Sequence, residues 1–268
     1  MKQDPDLAPF IMVAPNGGRK TKADHPCIPM TVPELLACAD ECRAAGADAM
    51  HAHVRDSEGN HVLDLGLYSE LIAEAARTLP GLQIQITTES LGHYSAAEQR
   101  RLVRDLTPKH ASVALREQDP DADKVATRRF YHWAEEAGVE IQHILYDPAE
   151  RAWLEELQIR QIIPNTTQRV LFVLGRYSGG LASAPENLLP FLDVGSSPIR
   201  WMACAFGQAE TDCLLEAFAL GGEMRIGFEN NVLNEDGSIA QDNAERVQKL
   251  LKRLNAHKAN YVQTDRYR

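Results

Sequence analysis

Gln83-Ile-Gln-Ile-Thr-Thr-Glu-Ser90 and Glu140-Ile-Gln-His-Ile-Leu-Tyr146 bracket the stretch whose reading decides the fold. Both are short runs rich in Ile, the apolar His110-Ala-Ser-Val-Ala-Leu115 lies between them, and runs of this length and composition read as strands. The segments joining them have helical signals instead. Ser95 with Glu98 forms a capping box that opens a helix over Ser95–Leu106, and Asp121–Ala137 reads as a second helix stopped by Gly138. Upstream, the same alternation gives a strand at Pro9–Ala14, the loop Pro15–Met30, and a helix over Thr31–Ala45 with its own Thr31/Glu34 box and Pro33 in the first turn. A strand at Ala49–Arg55 and a helix at Leu67–Leu79 follow. Downstream come helix Pro148–Leu157, strand Arg169–Leu174, helix Pro185–Leu192, strand Ile199–Phe206, helix Ala209–Leu220 ending at Gly221-Gly222, strand Met224–Glu229 and helix Asn243–Ala256. Eight strand–helix units run without a Pro/Ser-rich linker or charge block. This predicts an α/β fold, a single-domain (β/α)8 TIM barrel over residues 1–268, with a doubly wound open sheet as the alternative.

Composition agrees with a folded enzyme-sized domain. At 268 residues and 44% hydrophobic the chain buries enough surface to need no staples. A formal net charge of −10 disfavours a nucleic-acid binder, which needs clustered cations. The small basic cluster Arg19-Lys20-Thr21-Lys22 instead suits a phosphorylated or carboxylated small ligand. The 5 cysteines are odd in number and lack a C-x-x-C, and Cys38 and Cys42 share one helix face, which argues for reduced thiols. With no leader-like or membrane-spanning run, the protein is expected to be cytoplasmic and to have no membrane partner. A homo-oligomer is expected.

In a barrel the site stands at the C-terminal ends of the strands. Strand two ends Met50-His-Ala-His-Val-Arg-Asp56, so His51, His53 and Arg55 fall on one face. Two imidazoles so spaced suit a first-row metal, most commonly Zn²⁺, provided a third ligand exists. Strand eight, read as Arg225-Ile-Gly-Phe-Glu229, puts Arg225, Gly227 and Glu229 on one face. Both strands flank strand one, so Glu229 can complete a two-His, one-carboxylate metal site with open positions; otherwise it pairs with Arg225 or Arg55. Thr87 and Thr88 offer strand-end hydroxyls that hold a ligand oxygen or cap a helix. Arg116 suits a substrate carboxylate or a surface pair with Glu117. The loop Asn16-Gly17-Gly18-Arg19 combines backbone N–H groups with a cation, which suits an anion. His25 is the one other histidine with a possible site role.

Several stretches together resemble the β-keto acid cleavage enzymes, the family of 3-keto-5-aminohexanoate cleavage enzyme. They are Ala14-Pro-Asn-Gly-Gly-Arg19, Asp24-His-Pro26, His51-Ala-His-Val-Arg-Asp56, Gln85-Ile-Thr-Thr-Glu89, Leu174-Gly-Arg-Tyr177 and Arg225-Ile-Gly-Phe-Glu-Asn-Asn231. The resemblance implies a Zn²⁺-dependent acyltransferase that converts a β-keto acid and acetyl-CoA to acetoacetate and a new acyl-CoA. The implied course is an enolate, a Claisen-type condensation and a retro-Claisen cleavage. His51, His53 and Glu229 match the family's metal ligands, Thr87 and Ser112 its substrate-contacting hydroxyls, and Arg225 the arginine of its strand-eight motif. Asn230 stands where members often carry Asp. An amide accepts no proton, so Asn230 is left an orienting role and the proton falls to a metal-bound hydroxide or to a water held by Thr87 and Arg225. Arg19 stands where an acidic residue would hold an amino substrate, which implies an anionic or neutral substrate tail. A metal-dependent aldolase or hydrolase acting without CoA is the alternative.

Overall fold

The structure, a computed structural model, describes residues 8–118, 122–165, 169–175, 182–194 and 199–265, with side chains as far as 258. Eight parallel strands close on themselves in sequence order: β1 (Ile11–Val13), β2 (Ala49–Ala52), β3 (Gln83–Thr87), β4 (His110–Ala114), β5 (Glu140–Leu145), β6 (Arg169–Leu174), β7 (Arg200–Ala205) and β8 (Glu223–Ile226). Closure is made by β1 and β8, where Met12 lies opposite Arg225. Between the strands run α1 (Val32–Ala44), α2 (Leu65–Thr78), α3 (Ala96–Leu106), α4 (Lys124–Glu136), α5 (Pro148–Ile159), the short α6 (Leu189–Leu192), α7 (Glu210–Ala219) and finally α8 (Asn243–Asp265). The fold is therefore the expected (β/α)8 barrel.

Alternation along each strand makes two cores. Met12, Ala49, Ala114, Ile144, Leu171, Val173, Met202 and Cys204 fill the barrel interior. Their neighbours, such as Val13, Met50, Ile86, Val113, Phe172 and Ala203, face outward into the helix layer. A parallel sheet covered on both faces has to be apolar throughout, which is why these strands read as near-continuous hydrophobic runs. The N-terminal end of the barrel is closed by charge instead. Arg169 pairs with Glu140 and Glu223, Arg200 with Glu223, and His110 with Glu140, while both arginines lie against the Phe10 ring.

The helix starts follow their caps. Thr31 and Ser95 complete the expected capping boxes, and Asp147 accepts from Glu150 N ahead of Pro148. Asp64 caps α2, which starts two residues before the expected Leu67, and Asp123 caps α4, so that helix begins at Lys124. The expected start at Asp121, like Arg176-Tyr177 of the glycine-arginine motif, lies outside the described residues. The helix expected over Pro185–Leu192 is a 3-10 turn, Pro185–Leu188, followed by a single α turn. Pro190 lacks an N–H and cannot extend the ladder. Strands two and eight end earlier than the pattern suggested, at Ala52 and Ile226. That shortening shapes the site.

Candidate active site

At the top of β2 the two imidazoles meet. His51 Nε2 lies 3.1 Å from His53 Nε2, and both rings are 1% exposed. His51 is held by a relay across the barrel floor. Its Nδ1 lies 2.8 Å from Gln85 Oε1, Gln85 Nε2 donates to Gln142 Oε1 at 3.1 Å, and Gln142 Nε2 points at Met202 Sδ. Because Gln85 spends its amide N–H on Gln142, its oxygen must accept from His51. The proton is thereby fixed on Nδ1 and the Nε2 lone pair turned to the site. Burial pushes His51 down to about 4, with the Arg225 charge adding to the effect. Burial followed by the His51 charge takes His53 well below the ordinary histidine range. Both rings are neutral donors at pH 7.

Glu229 reaches them by a route strand alternation did not anticipate. The backbone leaves β8 at Ile226, turns at Gly227 (φ 145), and closes with Asn230 N donating to Gly227 O at 2.9 Å. A Cβ at Gly227 would strike the Ala14 carbonyl, so only glycine permits this departure. The turn is pinned from several sides. Glu229 N donates to Ala14 O at 3.0 Å, Phe228 N to Asn243 Oδ1 at 2.9 Å, and Lys20 Nζ to the carbonyls of Phe228 and Glu229 at 2.7 and 2.9 Å. Gly17, also with positive φ, packs against the Glu229 side chain where any Cβ would collide with it. The face-sharing reading of Arg225 and Glu229 is thus corrected: they stand four residues apart around a turn.

Both alternatives read for Glu229 are realised at once. Oε1 accepts from Arg225 Nη2 at 2.8 Å, while Oε2 lies 3.6 Å from His51 Nε2 and 3.7 Å from His53 Nε2, with no hydrogen-bond partner among the described residues. Four-coordinate Zn²⁺ with ligand bonds of about 2.0–2.1 Å keeps its donor atoms roughly 3.3 Å apart. The separations of 3.1, 3.6 and 3.7 Å match that requirement, and His51, His53 and Glu229 form the one such group among the described residues. Three protein donors leave at least one position open.

These side chains stand in a pocket of about 540 Å³ at the barrel mouth, a size suited to a small organic ligand. Arg225, 3% exposed, lines it with Nε and Nη1 unpartnered among the described residues. Burial opposes the guanidinium charge, but Glu229 more than offsets this and holds Arg225 above its ordinary range. Thr87 also lines the pocket, its Oγ1 accepting from Glu89 N at 3.0 Å. Arg19 is exposed at the rim and makes no ion pair among the described residues.

Other expected residues take different places. Asn16 lies beneath the pocket, bridging Pro29 O and His53 O while accepting from His53 N. Thr88 donates to Ser112 O at 3.0 Å, and Ser112 Oγ to Ile86 O at 3.4 Å; both hydroxyls are buried outside the pocket lining. Asn230 is 3% exposed, also outside the lining, with neither side-chain polar atom partnered among the described residues. Arg116 reaches the pocket wall stacked on Tyr146, but it pairs with Glu150 and Asp147 rather than with Glu117. The basic cluster of the first loop is taken apart: Lys20 binds the strand-eight turn, Lys22 pairs with Glu34, and Arg19 is left facing the pocket. Arg55 turns away from the imidazoles and donates to the carbonyls of Gly17, Gly18, Lys20 and Gly59, fixing the first loop. His25 is structural, its Nδ1 accepting from Cys27 N and its Nε2 donating to Ala240 O.

Glu89 lines the pocket although the sequence reading gave it no site role. Glu89 Oε2 lies 3.7 Å from His53 Nδ1, the ring nitrogen that otherwise lacks a partner among the described residues. Burial raises the Glu89 carboxyl to about 7, with Glu229 and Glu117 adding to it. The absence of a side chain at Gly18 admits this carboxylate, since a Cβ there would stand 2.9 Å from Glu89 Oε2. Nothing local in Thr-Thr-Glu-Ser marks the contact, because it depends on a glycine 71 positions earlier.

Among solved structures, ObcA in ternary complex with a C4-CoA adduct and oxalate superposes with a TM-score of 0.64 at 16% identity, over 87% of this chain. This chain spans 64% of that one. A type I 3-dehydroquinate dehydratase from Clostridium difficile superposes at 0.63 and 11% identity over 97% and 99% of the two chains. These show the barrel alone. In sequence, the 3-keto-5-aminohexanoate cleavage enzyme of Acetoanaerobium sticklandii is 26% identical over 250 residues, covering 91% of this chain and 90% of its own. The 3-oxoadipate:acetyl-CoA acetyltransferase of Cupriavidus necator is 23% identical over 253 residues, covering 89% and 85%. The family model of the beta-keto acid cleavage enzymes matches residues 9–268, and the chain belongs to that family.

Proposed function

We propose that this chain transfers the acyl group of a β-keto acid to CoA, converting the keto acid and acetyl-CoA to an acyl-CoA and acetoacetate, with Zn²⁺ held by His51, His53 and Glu229. The observation that carries the reading is the convergence of His51 Nε2, His53 Nε2 and Glu229 Oε2 on one point of the pocket that Arg225 also faces. Bound there, the metal would supply Lewis-acid stabilisation of the charge that develops on the keto acid's oxygens. The residues do the rest. Arg225 directs its free N–H groups at the same oxygens, from a dry site where a fixed cation acts strongly. The proton leaving C2 passes to a water held between Thr87 Oγ1 and Arg225. C2 then attacks the thioester carbonyl and expels the CoA thiolate. The thiolate adds to the original ketone carbon, the C2–C3 bond breaks to release acyl-CoA, and the C2 carbanion left behind regains its proton from that water to give acetoacetate. The relative named as an acetyl-CoA acetyltransferase supports an acetyl-CoA-dependent course.

Arg19 at the rim sets the tail preference, so that anionic or neutral β-keto acids are used ahead of amino-bearing ones. Asn16, Thr88 and Ser112 support the site from beneath, and Arg116 forms its wall. A panel of β-keto acids with acetyl-CoA, followed by acetoacetate release, tests the reading. Product formation that ignores acetyl-CoA would favour an aldolase or hydrolase instead.

A further inference from the structure

Three successive amides of the strand-eight turn are taken up by three different segments. Glu229 N donates to Ala14 O, Phe228 N to Asn243 Oδ1, and Gly227 N to Glu210 Oε1 at 3.3 Å. The N–H groups of a strand in a parallel sheet turn alternately to its two neighbours, and Met224 N donates to Phe10 O on the β1 side. Gly227 N therefore turns to the β7 side, where the pairing of β7 with β8 runs only as far as Met224. A buried N–H left there without an acceptor is costly, so a side chain supplies what the ladder does not. Glu210, the first residue of α7, does so from a fully buried position. Its Oε2 pairs with Nη2 of Arg246, which lies near the start of α8 and is itself buried. Burial pushes the Glu210 carboxyl up to about 7 against the charge of Arg246, and a donor on each oxygen keeps it ionised above that value.

We infer that Glu210, held by Arg246, is a positioning residue for the proposed metal ligand Glu229 and acts through the Gly227 N–H, an inference that rests on the Zn²⁺ reading above. Gly227 is where the chain leaves β8, so its direction there decides where the carboxylate two residues on arrives. Glu229 Oε2 stands 3.6 and 3.7 Å from the two imidazole nitrogens. A site of this kind has to be held to within about 0.5 Å, closer than a turn able to swing about its Ala14 and Asn243 contacts would keep it. Glu210 steadies the turn by a second route as well. Burial lowers the Lys20 ammonium, and the charges of Glu229 and then Glu210 oppose that loss, keeping a cation on the Phe228 and Glu229 carbonyls. Neither Glu210 nor Arg246 lines the pocket, so both act on the site only through the backbone that carries it.

Removing one member of a buried ion pair endangers the fold, so the test replaces both together. Glu210→Leu with Arg246→Met and Glu210→Gln with Arg246→Met lack the ion pair alike, and only the second keeps an oxygen facing Gly227 N. In competition with a chromophoric chelator for Zn²⁺ at about pH 8, the first should bind about tenfold or more weakly than wild type and the second within about threefold. Leu154→Ala, a core truncation on α5, should lower the melting temperature and leave the affinity unchanged, which separates positioning from general loss of stability. Glu210→Asp keeps the charge for Arg246 but draws the carboxylate back by one methylene, and should weaken binding about fivefold. Affinity within twofold of wild type in the Leu-bearing variant, or an equal loss in both double variants or in Leu154→Ala, would overturn the inference. Where the double variants do not fold, wild-type affinity in Glu210→Asp overturns it instead. A wild type that binds no divalent ion would sink the Zn²⁺ reading itself, a result told apart by requiring no variant.

Discussion

Replacing Gln85 by Leu removes the group that fixes His51 while keeping side-chain volume close. Two buried hydrogen bonds are lost, His51 Nδ1–H to Oε1 at 2.8 Å and Nε2–H to Gln142 at 3.1 Å. His51 is then free to place its proton on either nitrogen and to rock about its side chain. Loss of a partner of this kind typically weakens a metal site about 10–100-fold, or roughly 1.4–2.8 kcal/mol. Two groups are also orphaned, His51 Nδ1–H and Gln142 Oε1, each costing about 1–3 kcal/mol of folding stability where no new partner is found. Against a total stability of roughly 5–15 kcal/mol the variant stays folded, with Tm lowered by several degrees. The assay is competition between the protein and a chromophoric chelator for Zn²⁺, run well below the variant's melting transition. Gln85→Glu serves as the control, because a carboxylate still accepts from Nδ1 and should keep affinity within a few-fold of wild type. The reasoning fails if Gln85→Leu, folded by circular dichroism, binds Zn²⁺ within twofold of wild type.

Purified protein should carry about one divalent ion per chain by elemental analysis, and His51→Ala or Glu229→Ala should lose it; retention in both variants would refute the ligand set. Arg19→Glu should move kcat/KM towards β-keto acids with a cationic tail, whereas a wild type that already works best on an amino-bearing keto acid would contradict the role given to Arg19. Asn230→Ala should slow turnover only about fivefold, while loss of C2 exchange with metal still bound would make Asn230 indispensable. Acid stability provides the fourth check. Burial alone would raise Glu140, but the His110 hydrogen bond and the Arg169 charge outweigh it and hold the carboxyl at about 2 against an ordinary 4.5. A depressed carboxylate stabilises the fold above its unfolded pKa, and the benefit is lost as pH falls through the window between the two values. Between about pH 6 and pH 4 this group should contribute roughly 0.8 kcal/mol to the wild type's loss of stability in urea melts, less whatever solvent screening removes, and Glu140→Gln should lack that increment.

The barrel was legible because each of its requirements leaves a local mark. Parallel strands buried on both faces must be apolar, and the helices announce themselves by Thr31, Ser95 and Asp147 at their caps. The pairing of His51 with His53 was legible for the same reason, since alternation along a strand is a local rule. Glu229 was found by the right expectation resting on the wrong geometry. A strand pattern continued through Gly227 lands on the same residue that the observed turn delivers, because β1 and its loop are wrapped around that turn. What stayed hidden were contacts between distant segments. Lys20 looked like part of an anion site until the carbonyls of Phe228 and Glu229 were seen to occupy it. Glu89 looked like one member of a polar strand tip until Gly18 let it reach His53.

The sharing of Glu229 between Arg225 and the imidazole pair has a consequence for how the site is built. A carboxylate facing two neutral histidines with no cation nearby would be costly to bury, and it would drift towards solvent or gain a proton. Arg225 supplies the cation on the Oε1 side, so Oε2 can stay aimed at the point where His51 and His53 converge. The same ion pair fixes the guanidinium at the pocket wall, with Nε and Nη1 buried and unpartnered among the described residues. The proposed metal ligand Glu229 and the proposed oxyanion donor Arg225 are thus positioned as one unit by a turn that Lys20, Asn243 and the Ala14 backbone secure. Removing Arg225 should therefore lower metal affinity as well as turnover, although the residue donates nothing to the metal. Arg225→Lys separates the two effects, because a lysine restores the charge that steadies Glu229 without the planar fork that meets the substrate. Metal affinity recovered by Arg225→Lys with turnover still lost is the expected result, and equal recovery of both would show that charge alone accounts for Arg225.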